Sequence, residues 1–153
     1  MNKLLATNSN NWAALIVRFT LGIIIFPHGA QKLLGWFGGY GYNGTMGFLT
    51  GAAGLPWIIA LLVILIEFFA PLLLVFGLAT RFAAFGLLAN FTGILFKSHI
   101  NNGFFMNWAN TPGVGQGYEF HLLIIGMSLA LLIAGGGKAS LDAALNKSRI
   151  SNK

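Results

Sequence analysis

The stretch from Arg18 to Lys32, RFTLGIIIFPHGAQK, constrains the fold of this chain more than any other, because it sets a guanidinium inside an apolar run and ends in proline, histidine and lysine. Hydrocarbon does not solvate charge, so an ionisable group within an apolar helix is expected to face a bundle interior and a partner. The next apolar run carries Glu67 near its middle. Arg18 and Glu67 are therefore expected to form a buried ion pair. Pro27 and Pro71 remove the amide donors that would satisfy the carbonyls of Ile23 and Glu67. The sequence thus predicts two interrupted helices around a polar pocket in a membrane domain.

That reading needs a chain too apolar for water. With 153 residues, 56% hydrophobic, only 8% charged and a mean hydropathy of +0.76, the composition lacks the polar surface of a soluble domain. The expected class is all-α: a membrane four-helix bundle forming a single integral membrane domain over residues 1–153. A formal charge of +6 is compatible with nucleic acid, but the basic residues are scattered and flank apolar runs. Topology accounts for them, and no nucleic-acid partner is expected. The absence of cysteine excludes disulfides, thiol catalysis and thiolate-ligated clusters.

Spans are expected at about 12–34, 57–77, 81–97 and 118–135. The first would measure about 34 Å, enough to cross the hydrocarbon core. Lys3 before an apolar region also suits a signal peptide, but Arg18 interrupts that region and no small-x-small cleavage site follows, so the run is expected to be retained. Residues 35–56 mix Trp36, Phe37, Tyr40 and Tyr42 with glycines and read as an interfacial loop with a short helix near Thr45 to Thr50. Residues 98–117, rich in Asn and Gly, make a second long loop on the same side. Ser140 is placed to cap a short C-terminal surface helix, with Asp142 in its first turn. Lys3, Arg81, Lys138, Lys147, Arg149 and Lys153 fall on one side and Lys32 and Lys97 on the other. The positive-inside rule then puts both termini in the cytoplasm of a multi-pass protein of a bacterial inner (plasma) membrane, with the lipid bilayer as its surroundings.

At 100° per residue, Arg18, Gly22, Gly29 and Lys32 share one sector of the first helix, and Ala60, Glu67, Pro71 and Leu74 share one of the second. Gly86, Asn90 and Gly93 line the third, and Glu119, Gly126 and Ala130 the fourth. Small residues permit close helix packing in lipid, so these stripes are expected to turn inward. A second constellation, His28, Lys32, His99, Glu119 and His121, gathers at the outer end. No HxxxH spacing occurs, and Glu119 and His121 project about 200° apart, so no metal site is expected. A quinone headgroup asks for less, one or two donors beside an apolar slot. His28, Gln31 and Lys32 under Trp36 and Phe37, with Glu119 and His121 at the same level, are the candidate ligand-binding residues.

The arginine of the first span, FPHGAQKLLGWFGG, the following Gly44-Thr45, the glutamate before LLLVFGLATR, and the closing GGGKASLD together resemble the DoxX family of small four-span bacterial membrane proteins. The resemblance runs from about Val17 to Asp142, with Arg18, His28, Gly29, Lys32 and Glu67 at motif positions. It implies a bacterial inner-membrane protein, a subunit of a quinone-linked redox complex. Two other classes stay open: a noncatalytic scaffold recruiting a partner enzyme through its loops, and a small-solute or proton transporter through Arg18 and Glu67. The transporter would need a homo-oligomer, since one bundle of this size is too small for alternating access. The segments FTLGIIIFPH and FTGILFKSH are also alike. Chance similarity between Phe- and Ile-rich runs explains them more simply than an ancient hairpin duplication.

Overall fold

A computed structural model describes residues 7–151, with side chains through Lys147. The basic side chains of Lys3, Arg149 and Lys153 used in the topology argument lie outside the described residues. The chain is all-helical. Its elements are α1 (Trp12–Leu34), α2 (Gly41–Gly47), α3 (Trp57–Phe76), α4 (Thr80–Ile94), α5 (Glu119–Ala134) and α6 (Leu141–Ser151). Wider helical turns prolong α2 through Phe48–Ala52 and α4 through Leu95–His99. α1 packs on α3, α3 on α4 and α4 on α5, and α5 returns to α1 along the least extensive of these seams. One end carries α2 and the loop of residues 103–118; we call it the loop end. The other carries the α3–α4 turn and α6; we call it the turn end.

The core is a column of Leu21, Ile25, Leu74, Leu87, Ile124 and Leu131, all essentially inaccessible. Outward faces are equally apolar: Ile16, Ile23, Phe69, Phe82, Phe85 and Ile133 are all exposed. A helix apolar on every side finds no water-facing stripe, as expected of chains surrounded by lipid. α1 and α3 are each long and apolar enough to cross a membrane, with mean hydropathies of 1.7 and 3.0; α5 is apolar but shorter.

Neither proline interrupts its helix. α1 runs through Pro27 and α3 through Pro71. The Glu67 carbonyl, which Pro71 deprives of its amide partner, lies against Gly29, where a methyl group would overlap it. One turn pair further along, a methyl on Gly22 would stand 2.7 Å from Val75 Cγ2 and 3.0 Å from the Pro71 carbonyl. The glycines at 22 and 29 are thus where the α1 and α3 backbones meet, and they fix the antiparallel register with Gly29 level with Glu67. The stripes expected on the later helices are different. Gly93, Gly126 and Ala130 face outward, with open space around both glycines. Helical spacing identifies residues that share a face, but here the bulkier Leu87, Phe91, Ile124 and Leu131 hold the inward side.

Candidate polar sites at the two ends of the bundle

Arg18 is fully buried at the turn end, and its partners are backbone. Nε donates to the Gly136 carbonyl at 2.9 Å, Nη1 to Leu74 and Val75 at 2.9 and 2.6 Å, and Nη2 to Lys138 and Ala139 at 3.1 and 2.7 Å. A guanidinium has five N–H groups, so this one is saturated. Its acceptors are carbonyls at the C-terminus of α3, where Leu74 also accepts from the Gly77 amide, and in the turn after α5, where the helix dipoles concentrate negative potential. Gly77 closes α3 in the left-handed region at φ 63°, and a methyl there would come within 3.0 Å of the Arg18 Cζ. Asp142, 1% exposed, completes the knot. Its Oδ1 and Oδ2 accept from the Ala79 and Thr80 amides at 2.8 and 2.9 Å, capping α4 from another element. Ser140 Oγ accepts from Ala143 N at 3.2 Å and caps α6.

The expected Arg18–Glu67 pair is therefore not formed. Depth decides against it. Arg18 precedes Gly29, the residue level with Glu67, by about 16 Å of helix, beyond the reach of a side chain. Glu67, 1% exposed, instead pairs with Lys32 Nζ through Oε2 and accepts from Asn90 Nδ2 through Oε1 at 3.1 Å. Lys32 sits just past Gly29 on the same face of α1 and keeps 30% of its side chain exposed. A carboxylate between an ammonium and an amide is a satisfied buried charge.

Around this trio the loop end gathers rings. His28, one turn before Lys32, is exposed and lies 6.5 Å from Phe120 between ring centroids. Phe26 faces Phe68 at 5.6 Å on the opposite flank of α1. His121 is 6% exposed, 4.2 Å from His99 and 5.9 Å from Phe91, and its Nδ1 has no hydrogen-bond partner. His99 is held by the Gln116 carbonyl at 2.7 Å. Four helices thus contribute to one locus: His28 and Lys32 from α1, Glu67 from α3, Asn90 and Phe91 from α4, Phe120 and His121 from α5.

Two of the proposed ligand residues are committed elsewhere. Gln31 Nε2 donates to the Phe37 carbonyl at 3.3 Å, and Glu119 Oε1 accepts from Met106 N and Trp108 Nε1, each at 3.0 Å. Glu119 thus pins the 103–118 loop to the head of α5. The sequence reading placed Asn90 inward without its partner and missed Asp142 as the cap of α4. Two signals point to them: α4 begins at Ala79-Thr80 with no capping side chain of its own, and the carbonyl freed by Pro71 calls for a glycine opposite, which sets the register. Among the described residues, no group of three or more His, Cys, Asp or Glu side chains is arranged to hold a metal.

Comparison with known proteins adds a lineage to this geometry. The DoxX family model matches residues 13–100. A Bacillus subtilis (strain 168) protein named "Putative oxidoreductase CatD" is 31% identical over 128 residues, covering 84% of this chain and 83% of that protein. An uncharacterised protein of Haemophilus influenzae is 30% identical over 135 residues, covering 87% and 83%. No solved structure matches the chain.

Proposed function

Because the chain belongs to the DoxX family, a membrane-associated family, we propose that it is a multi-pass inner-membrane subunit of an oxidoreductase complex that binds a quinone headgroup at its loop end. One observation carries the reading: Lys32, anchored by buried Glu67, stands part-exposed one turn from exposed His28, whose ring lies 6.5 Å from that of Phe120 on α5. Lys32 has three N–H donors and gives one to Glu67, leaving two for a carbonyl oxygen. His28 supplies a second polar group, and the quinone ring would lie against the apolar helix faces beside them. The candidate set narrows to His28 and Lys32, with His121 behind Phe120, since Gln31 donates to the Phe37 carbonyl and Glu119 pins the 103–118 loop through Met106 N and Trp108 Nε1. The name of the Bacillus subtilis relative supports redox chemistry in the family. The quinone would supply electron transfer; this chain's residues bind and orient it and hold a charge beside its oxygen.

The turn end carries Arg81, Lys138 and Lys147, and its one described acid, Asp142, is buried; Lys32 and Lys97 are the lysines of the loop end. This asymmetry supports a cytoplasmic turn end and cytoplasmic termini. The test of function is binding of a short-chain quinone analogue to purified protein in lipid nanodiscs. His28→Ala is expected to weaken binding while leaving the melting temperature nearly unchanged, because the side chain is exposed. Absence of binding by the wild type would refute the quinone reading and favour a scaffold that recruits a partner through its loops.

A further inference from the structure

The polar locus at the loop end has no continuation toward the turn end. From Glu67 to Leu74, the first α3 carbonyl bonded by Arg18, the helix advances about 10 Å. The core across that interval is Leu21, Ile25, Ala70, Leu74, Leu87 and Leu131, each 6% exposed or less. Ser128 is the one polar side chain among the described residues buried in that layer, and its hydroxyl has no hydrogen-bond partner. Proton transfer requires partners at hydrogen-bond separation, about 2.6–3.2 Å, and a lone unpartnered hydroxyl does not bridge such a gap.

At the turn end the buried ionisable groups, Arg18 and Asp142, already have backbone partners. All five Arg18 N–H groups are taken by carbonyls, and both Asp142 oxygens by amides. On the other side of Glu67 the path is short: its carboxylate holds Lys32, and the Lys32 side chain is 30% exposed. The groups facing Glu67 are Lys32 and His28 from α1 and the neutral Asn90 amide from α4; His121 of α5 stands beyond Phe91.

We propose that the Lys32–Glu67–Asn90 cluster exchanges protons with the loop side of the membrane alone, so that proton uptake or release coupled to its ligand is confined to that side. This rests on the quinone reading for the ligand, while the sidedness follows from the fold. It removes the route that a proton transporter through Arg18 and Glu67 would require.

The test uses the full chain in vesicles of uniform orientation, with a short-chain quinone analogue as probe and pH varied on one side at a time. Affinity is expected to follow loop-side pH only, and Glu67→Gln is expected to bind the analogue with that response lost. Dependence on turn-side pH, or on neither side, would overturn the proposal. Should Glu67→Gln fail to fold, wild-type protein treated with a membrane-impermeant amine reagent decides sidedness by peptide mass. Lys32 is expected to be labelled from the loop side only, and labelling from the turn side would overturn the proposal. If no analogue binds, the quinone reading falls, and the labelling still tests which side reaches the cluster.

Discussion

Replacing Arg18 with lysine keeps the charge and removes the fork. A lysine offers three donors where the guanidinium offers five, so at least two of the five bonds to Leu74, Val75, Gly136, Lys138 and Ala139 are lost; the Leu74 carbonyl keeps the Gly77 amide, so at least one carbonyl is left without a partner. At about 1–3 kcal/mol for each buried polar group left unsatisfied, the loss is at least about 1–3 kcal/mol. Against a total stability of about 5–15 kcal/mol for a typical domain, that is a large fraction. Denaturant unfolding in one detergent, followed by tryptophan fluorescence, measures it, and Glu67→Gln is made alone and together with Arg18→Lys. Because the two sites have no shared partner and lie about 16 Å apart along α1, their costs are expected to add within about 0.5 kcal/mol. Wild-type stability in Arg18→Lys would refute the saturation argument. A coupling energy well above that margin would reinstate a direct Arg18–Glu67 interaction.

Lys32→Ala strands a carboxylate that is 1% exposed, and the cost is expected near the low end of about 3–5 kcal/mol because Lys32 itself is 30% exposed; adding Glu67→Gln should recover part of it in the same unfolding assay. Gly29→Ala pushes a methyl into the Glu67 carbonyl and is expected to cost at least about 1–3 kcal/mol, whereas Gly126→Ala, facing open space, should stay within about 0.5 kcal/mol. Asp142→Ala removes the cap of α4 and should lower stability by about 0.5–2 kcal/mol, measured as a shift in melting temperature. A periplasm-active reporter inserted near Gly113 and a cytoplasm-active one fused after Lys153 should both work; the reverse pattern would invert the orientation.

Helix type and bounds were legible in the sequence because they depend on local properties. The apolar run starting at Trp12 ends where Gly35 takes a left-handed φ of 74°, and Ser140 caps α6 as its position suggests. The inward placement of Arg18 and Glu67 followed from charge in an apolar helix, and that of Asn90 from the helical stripe it shares with Gly86 and Gly93. Which charges pair did not follow, because pairing depends on the axial register of two helices. Opposite signs on neighbouring spans made Arg18 and Glu67 look complementary, while Lys32 was read as an interfacial group. The outward glycines were misplaced for a related reason: small residues allow close approach but do not compel it, and α5 packs through Ile124 and Leu131 instead.

The two polar ends of the bundle therefore carry different burdens. At the turn end, Arg18, the LLLVFGLATR turn and the GGGKASLD segment are tied by one set of hydrogen bonds, in which every guanidinium N–H and both Asp142 oxygens are used, while the Thr80 hydroxyl is buried without a partner. Arg18 has no spare donor and cannot bind a ligand without dismantling its own bonds, so this motif position specifies the fold. At the loop end the accounts stay open: Lys32 has donors to spare, His28 is exposed, and His121 Nδ1 is unpartnered. An unpartnered nitrogen on a buried ring costs about 1–3 kcal/mol, and removing the polar ring would avoid that cost. Substitutions at the turn end should accordingly act through stability alone, and those at His28 through binding alone.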